Sequence, residues 1–242
     1  AKRYGEMWVW AGAAAQVNLL RRYYRGEQTE HNQKTLHALS YKFVRYHPPM
    51  NINRTEAIAL MESWTESASL RGHMLAVDAA VRAYARKYGE DEEHWGVAAI
   101  LHDFDYEKHP DIAEHGHPYV GVAHLKELGY PSDITDAILG HADHTEVPRV
   151  TTLAKVFYAC DEITGLITAA VLVRPDKDIA NLTLKSVKKR FKDKAFARGV
   201  NRDDVRRGAE ELGIDLWEHV QFVIEAMQGE AEALGLDGSL AS

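Results

Sequence analysis

The sequence is poor in cysteine and lacks the features of membrane-spanning and disulfide-stabilised proteins. Its 242 residues include a single cysteine, Cys160, which excludes an intramolecular disulfide and a cysteine-rich zinc site. No apolar run reaches about 18 residues, so we expect no membrane span and no membrane partner. Alternating strand patterns of useful length, internal repeats and low-complexity tracts are also missing. These absences favour a helical protein of the reducing cytoplasm.

Acidic residues outnumber basic residues after the first 49 residues. That segment holds eight Lys or Arg and three Asp or Glu, whereas the remaining residues hold 21 and 33. Such an acidic body does not favour a broad nucleic-acid surface. The first segment closes on His47-Pro48-Pro49, and two prolines forbid a continuous helix. We therefore predict an N-terminal helical extension at 1–49 and a main domain at 50–242. Whether the extension binds a partner or is foreign to the protein is left open.

Helical periodicity dominates from Asn53 onwards. The segment HMLAVDAAVRAYARKYG carries an apolar stripe and ends at Gly89, a good helix stop. Residues 151–173 are the most apolar long segment, residues 184–202 form a basic patch, and the last helices are predicted at 202–213 and 215–235. The pattern predicts an all-α bundle with functional side chains projecting inward from several helices.

Histidine is concentrated in the middle of the chain, where nine of the 13 lie between His73 and His144. Four potential metal ligands lie at or near predicted apolar stripes: His73, His102, Asp103 and Asp161. Asp161 is placed between FYAC and EITGLITAAVLV, where an unpaired carboxylate would be costly to bury. Binding a metal removes that cost, although a local pair with Lys155 would also do so. Histidine with carboxylate suits Mn, Fe, Co, Ni or Zn, and Mg is possible.

The spacing H…HD…D, formed by His73, His102-Asp103 and Asp161, resembles the signature of the HD-domain metal-dependent phosphohydrolases. The likeness covers roughly residues 50–235. Its blocks include RGHMLAVDAA, GVAAILHDFDYE, HPYVGVAHLKELG and KVFYACDEITGLITA, which look like those of a bacterial subgroup of predicted HD hydrolases. The resemblance implies an HD-domain helical bundle with one or two divalent transition metals in its core.

The resemblance also implies where a second metal would bind. His117 and His141 occupy the places of two further histidine ligands, and Asp103 would bridge both ions. His115 is the rival for the first place and His144 for the second. A ligand set of this kind would activate a water molecule and stabilise charge on a phosphate.

Residues close to the ligands are candidates for the remaining chemistry. Asp103 would act through the metals, and Asp105 and Glu107 are candidates for proton transfer or for orienting a ligand. His144 is a further candidate for proton transfer. Each of Asp105 and Glu107 could equally begin a solvated loop.

Two lysines are candidates for binding the substrate phosphate. Lys155 precedes Asp161 by about two helical turns, and Lys188 lies in the basic patch, although such a patch is more often a solvated helix face. Related enzymes continue the HD pair with Gly-Lys, whereas this chain has Phe104-Asp105-Tyr106. That lysine cannot be carried over, so phosphate binding must be organised differently.

The expected function is hydrolysis of a phosphate monoester or diester of a small, nucleotide-like molecule by metal-activated water. One alternative is a di-iron, O₂-dependent oxygenase of the same fold, such as inositol oxygenase. Another is a non-catalytic nucleotide sensor that signals through residues 1–49. The complete ligand set favours an enzyme. The sequence is also compatible with a homo-oligomer.

Overall fold

A computed structural model of the protein describes residues 52–111 and 116–241. The predicted extension at 1–49, the boundary at residue 50 and His115 lie outside these ranges. Within them, the secondary structure consists of nine α-helices, two short 3-10 helices and an isolated bridge between Asp178 and Asp237. No strand occurs in the described part of the chain, so the predicted all-α fold class is confirmed.

The α-helices are, in chain order, α1 (Arg54–Trp64), α2 (Ala68–Tyr88), α3 (Glu92–Ile100), α4 (Tyr119–Glu127), α5 (Ser132–Gly140), α6 (Thr152–Leu172), α7 (Leu184–Lys192), α8 (Arg202–Glu211) and α9 (Leu216–Gln228). The 3-10 helices are Asp143–Thr145 and Ile179–Asn181. Side-chain caps begin many of them. Thr151, for example, accepts a hydrogen bond from the amide of Ala154 at the start of α6. Gly89 ends α2 in the left-handed conformation, as the sequence predicts.

Helix α6 is the centre of the bundle, and α2, α5, α7, α8 and α9 all pack against it. Its residues are buried on most sides, which is the expected position for a helix that is apolar nearly all round. Phe157, Cys160, Ile163 and Leu166 are fully buried there. Despite this apolar character, none of the helices in the described ranges has the length and hydropathy needed to cross a bilayer.

Three sequence expectations require correction. His102 does not lie on a helix face, because α3 ends at Ile100 and the chain then turns. The last helix ends at Gln228, directly before Gly229, and not at residue 235. His219 has no partner in the ligand pattern, which predicts a surface position, but it is fully buried and bonds to the Tyr84 hydroxyl (2.7 Å) and the Ala159 carbonyl (2.8 Å). Burial lowers the pKa of His219 to about 4, so the ring is neutral at neutral pH.

The close approach of α8 to α6 depends on a glycine. A Cβ atom at Gly208 would lie 2.5 Å from the Cα atom of Ala159. Gly208→Ala should therefore force the two helices apart and lower the free energy of unfolding by about 1–3 kcal/mol. Gly72→Ala is the matched control, because a Cβ there meets nothing within 4 Å. It should stabilise α2 by up to about 1 kcal/mol.

Chemical denaturation of both variants, followed by circular dichroism, measures the two effects. An unchanged midpoint for Gly208→Ala would contradict the tight packing of α8 on α6.

Candidate metal centre

The structure brings together the side chains that the H…HD…D pattern singles out, together with two further histidines. They come from five places in the chain: His73 from α2, His102 and Asp103 from the turn after α3, His117 from just before α4, His141 from the end of α5, and Asp161 from α6. Only His73 and Asp161 lie within helices. The ends of three other helices supply the rest, and Phe157 packs against the rings of His102 and His141.

One group of ligand atoms surrounds the Nε2 atom of His102. This atom lies 3.3 Å from Nε2 of His73 and 3.5 Å from Oδ1 of Asp161. Oδ2 of Asp103 lies 3.3 Å from the same nitrogen, and Oδ1 of Asp161 lies 2.9 Å from Nε2 of His73. Two imidazoles and the Asp103 carboxylate thus present one atom each to a common point, with Oδ1 of Asp161 beside both imidazoles, as a transition-metal site requires.

A second group of ligand atoms uses the other oxygen of Asp103. Oδ1 of this carboxylate lies 3.2 Å from Nε2 of His117 and 3.7 Å from Nε2 of His141. The two Nε2 atoms are 3.3 Å apart. Because Oδ2 of Asp103 faces the first group and Oδ1 the second, a single carboxylate stands between two potential metal positions.

The remaining ring nitrogens of three histidines have fixed partners. Nδ1 of His102 donates to the Ala99 carbonyl (2.7 Å), and Nδ1 of His141 donates to the Ile138 carbonyl. Nδ1 of His117 donates to Oδ1 of Asp105 (2.8 Å). With the proton on Nδ1, the lone pair lies on Nε2, which is the form that binds metals.

These tautomers create a problem that a cation solves. Nε2 of His117 and Nε2 of His141 lie 3.3 Å apart, and two lone pairs at that distance repel unless positive charge lies between them. In the other group, the lone pair of His102 faces Nε2 of His73 at the same distance and lies close to oxygens of both carboxylates. A bound divalent ion supplies that charge and uses both lone pairs. The donor set therefore fits one metal in each group, with Asp103 common to both.

The electrostatics of the metal-free protein lead to the same requirement. Burial alone would lower the pKa of His102, but Asp103 and Asp161 outweigh it and hold the pKa well above its usual range. Burial alone would raise the pKa of Asp161, yet His102 and His73 hold it well below the ordinary value. The carboxylates thus remain ionised and require a neighbouring positive charge. When no metal is bound, a protonated imidazole supplies that charge.

Asp105 is placed behind the ligands and does not face the cavity. Its carboxylate is fully buried and accepts two hydrogen bonds, from Nδ1 of His117 and from the backbone amide of Gly121 (2.6 Å). This geometry favours the alternative in which Asp105 orients a ligand over the one in which it transfers protons to or from substrate. Glu107 accepts from the amides of Glu66 and Ser67 and ties the turn to the start of α2.

A cavity of about 600 Å³ lies over the two groups. His144 lines it and packs edge-on against Tyr119, whereas His144 belongs to neither ligand group. Tyr106 and Glu162 also line it, and sequence reasoning missed both. For Glu162 a signal was present, because a second carboxylate directly follows Asp161 in an otherwise apolar helix.

The two predicted substrate-binding lysines do not line this cavity. Lys155 lines a neighbouring cavity with Arg149 and Glu211. The reason is helical geometry: the six residues from Lys155 to Asp161 advance by about 600°, which leaves them on different faces of α6. Lys188 lies with its Nζ atom 4.9 Å from the ring centre of Trp217, on the side of α7 that faces α9.

The described residues form an all-helical bundle that holds two groups of potential metal ligands. Both groups share one aspartate, so the protein belongs to the class of candidate two-metal proteins. Residues 70–166 match the family model described as HD domain, and this range contains all six side chains of the centre. This match is consistent with the HD-domain metal-dependent phosphohydrolase superfamily. HD domains bind divalent metals and are generally metal-dependent hydrolases. Searches of curated proteins and of solved structures found no match.

Ligand variants should separate the two metal positions. His141→Ala removes a ligand from one group only, so the number of bound ions should fall from two to one. Asp103→Ala removes the shared carboxylate and should abolish tight binding at both positions. His94→Ala is the matched control, since His94 pairs with Asp133 outside the centre (2.6 Å). Metal analysis by mass spectrometry after dialysis gives the stoichiometry, and two ions retained by Asp103→Ala would refute the shared carboxylate.

Asp105 offers a second and more selective test. Two donors face its oxygens, so the amide of Asp105→Asn would present an N–H group to one of them. The variant should weaken binding of the ion beside His117 by about 10–100-fold and leave the other ion in place. Titration calorimetry of the metal-stripped protein resolves the two affinities. Equal weakening of both ions would show that Asp105 supports the fold and not His117.

Proposed function

We propose that this protein is a metal-dependent phosphohydrolase that cleaves a phosphate ester of a small molecule. The observation that supports the proposal most strongly is the position of Asp103, whose two oxygens each face a separate pair of histidines. A carboxylate shared in this way is typical of sites that hold two cations about 4 Å apart and carry out in-line displacement at phosphorus.

Two divalent ions at this centre would supply activation of a water nucleophile and neutralise the charge of the phosphate. The residues of the chain would do the rest. His73, His102 and Asp161 would hold one cation, His117 and His141 would hold the other, and Asp103 would contribute an oxygen to each position. Asp105 keeps the His117 ring in the orientation in which Nε2 points into the centre.

His144 is the proposed proton donor for the leaving oxygen. It lines the cavity without belonging to a ligand group, so its ring remains available to an ester bound over the centre. An imidazole also carries a transferable proton near neutral pH, as general acid catalysis requires.

A substrate screen tests the proposal. The full-length protein, stripped and then loaded with Mn, Co, Ni, Mg or Fe in turn, should release phosphate or an alcohol from at least one monoester or diester. Turnover should vanish in Asp103→Ala and persist in His94→Ala. His144→Ala should lower kcat by about 10²–10⁴-fold while metal content stays at two ions.

Two results would contradict this function. The first is phosphate release that persists in Asp103→Ala, which would place the activity elsewhere. The second is an iron-loaded protein that hydrolyses no ester but consumes O₂ in proportion to oxidised substrate, which would identify an oxygenase built on the same ligands.

A further inference from the structure

The cavity over the metal centre has an unusual charge for a protein that binds phosphate. Its described lining residues include no lysine and no arginine. Five carboxylates line it instead: Asp103, Asp143, Asp161, Glu162 and Asp204. Small residues such as Gly165 and Gly199 make up much of the rest. Any part of a substrate that extends beyond the phosphate therefore meets an acidic wall.

Two of these carboxylates pair with arginines that lie outside the cavity. Arg149 donates to Oδ1 of Asp143 (2.9 Å), and Arg207 donates to Oδ2 of the same side chain. The other amino group of Arg207 lies 3.2 Å from Oδ1 of Asp204. Arg149 also donates to Glu211 (2.7 Å), so three carboxylates share these two arginines. The contacts hold the pKa of Asp143 below its usual value, and both Asp143 and Asp204 have a guanidinium partner.

Asp103 and Asp161 are accounted for by the metals. The positive charge of two divalent cations would equal the negative charge of these two carboxylates and a phosphate dianion together. Asp103 and Asp161 would therefore not attract a further cationic group.

Of the five carboxylates that line the cavity, Glu162 is the one with neither an arginine partner nor a place among the metal ligands. In the described part of the chain no lysine or arginine pairs with it, and its hydrogen-bond partner is the backbone amide of Asn201, which donates to Oε2 (3.0 Å). Its side chain is partly buried at the cavity wall, one residue after a ligand. A carboxylate that no lysine or arginine contacts at such a place favours a cationic ligand group.

We propose that Glu162 selects the substrate: the phosphate ester carries an ammonium group on its alcohol part, and Glu162 binds that group while the phosphate lies over the metal centre. This inference rests on the proposed function. It narrows the substrate class from phosphate esters of small molecules to phosphate esters that bear an amine. Nucleoside diphosphates and triphosphates and carboxylated esters are disfavoured, because their additional anionic groups would face Glu162 with no cation nearby.

Glu162 also has a structural contact that the test must separate from substrate binding. Its hydrogen bond to Asn201 holds the start of α8, beside the loop that closes one side of the cavity. Glu162→Gln keeps an oxygen that can accept this hydrogen bond and removes only the charge. Glu210→Gln makes the same change at an exposed position of α8 that does not line the cavity, so it is the matched control.

Binding of phosphonates tests the inference without hydrolysis. The probes are 3-aminopropylphosphonate, butylphosphonate and 4-phosphonobutyrate, which differ only in an ammonium, methyl or carboxylate end. Calorimetry on the full-length, Mn-loaded protein should show that the ammonium compound binds at least about tenfold more tightly than the carboxylate compound. In Glu162→Gln this ratio should fall to about twofold or less, with metal content and unfolding temperature unchanged, whereas Glu210→Gln should retain it.

Hydrolysis of matched esters separates the two proposals. The ratio of kcat/KM for 2-aminoethyl phosphate over 2-carboxyethyl phosphate should follow the same pattern as the phosphonate affinities. Phosphonates that bind in the expected order while no ester is cleaved would support the role of Glu162 and contradict the hydrolase. Esters cleaved without preference for the ammonium group, or a preference that persists in Glu162→Gln, would overturn the role of Glu162 and leave the hydrolase intact. No phosphonate binding at all would overturn both.

Discussion

Two imidazole lone pairs cannot lie 3.3 Å apart in a protein interior without positive charge between them, and the Nε2 atoms of His117 and His141 form such a pair. Nε2 of His102 lies equally close to Nε2 of His73. The Nδ1 protons of His102, His117 and His141 are committed to acceptors on the far side of each ring, so those rings cannot turn away. Asp103 lies between the pairs and adds negative charge to both. The need for cations at this point is therefore built into the fold.

The bundle creates this arrangement through the ends of its helices. Helix α6 supplies Asp161 and the floor residue Phe157, and α2 supplies His73. The turn after α3 carries the HD pair and is held by Thr65, whose hydroxyl donates to the carbonyl of Phe104 (3.0 Å). Helix interiors give rigid positions, whereas turns allow Asp103 to direct its two oxygens in different directions. Both are needed to place one carboxylate between two histidine pairs.

Much of this could be predicted from the sequence, because helical periodicity and the spacing of His and Asp are local signals. The bounds of α6 agree with the predicted segment to within one residue at each end, and the predicted ligands meet. The features that the sequence did not predict are those that depend on side-chain direction. Lys155 lies on another face of α6 than Asp161, and Asp105 faces inward because Gly121 leaves room for its carboxylate. The isolated charge of Glu162 depends on where arginines from distant segments pair, which no local pattern records.

The central claim is that Asp103 joins two cations inside the helical core. Anomalous diffraction from crystals of the Mn-loaded protein, recorded on either side of the manganese absorption edge, tests it directly. We expect two peaks about 3.5–4 Å apart, one beside His73 and His102 and the other beside His117 and His141, with one oxygen of Asp103 on each. A single peak, or two peaks without Asp103 between them, would contradict it.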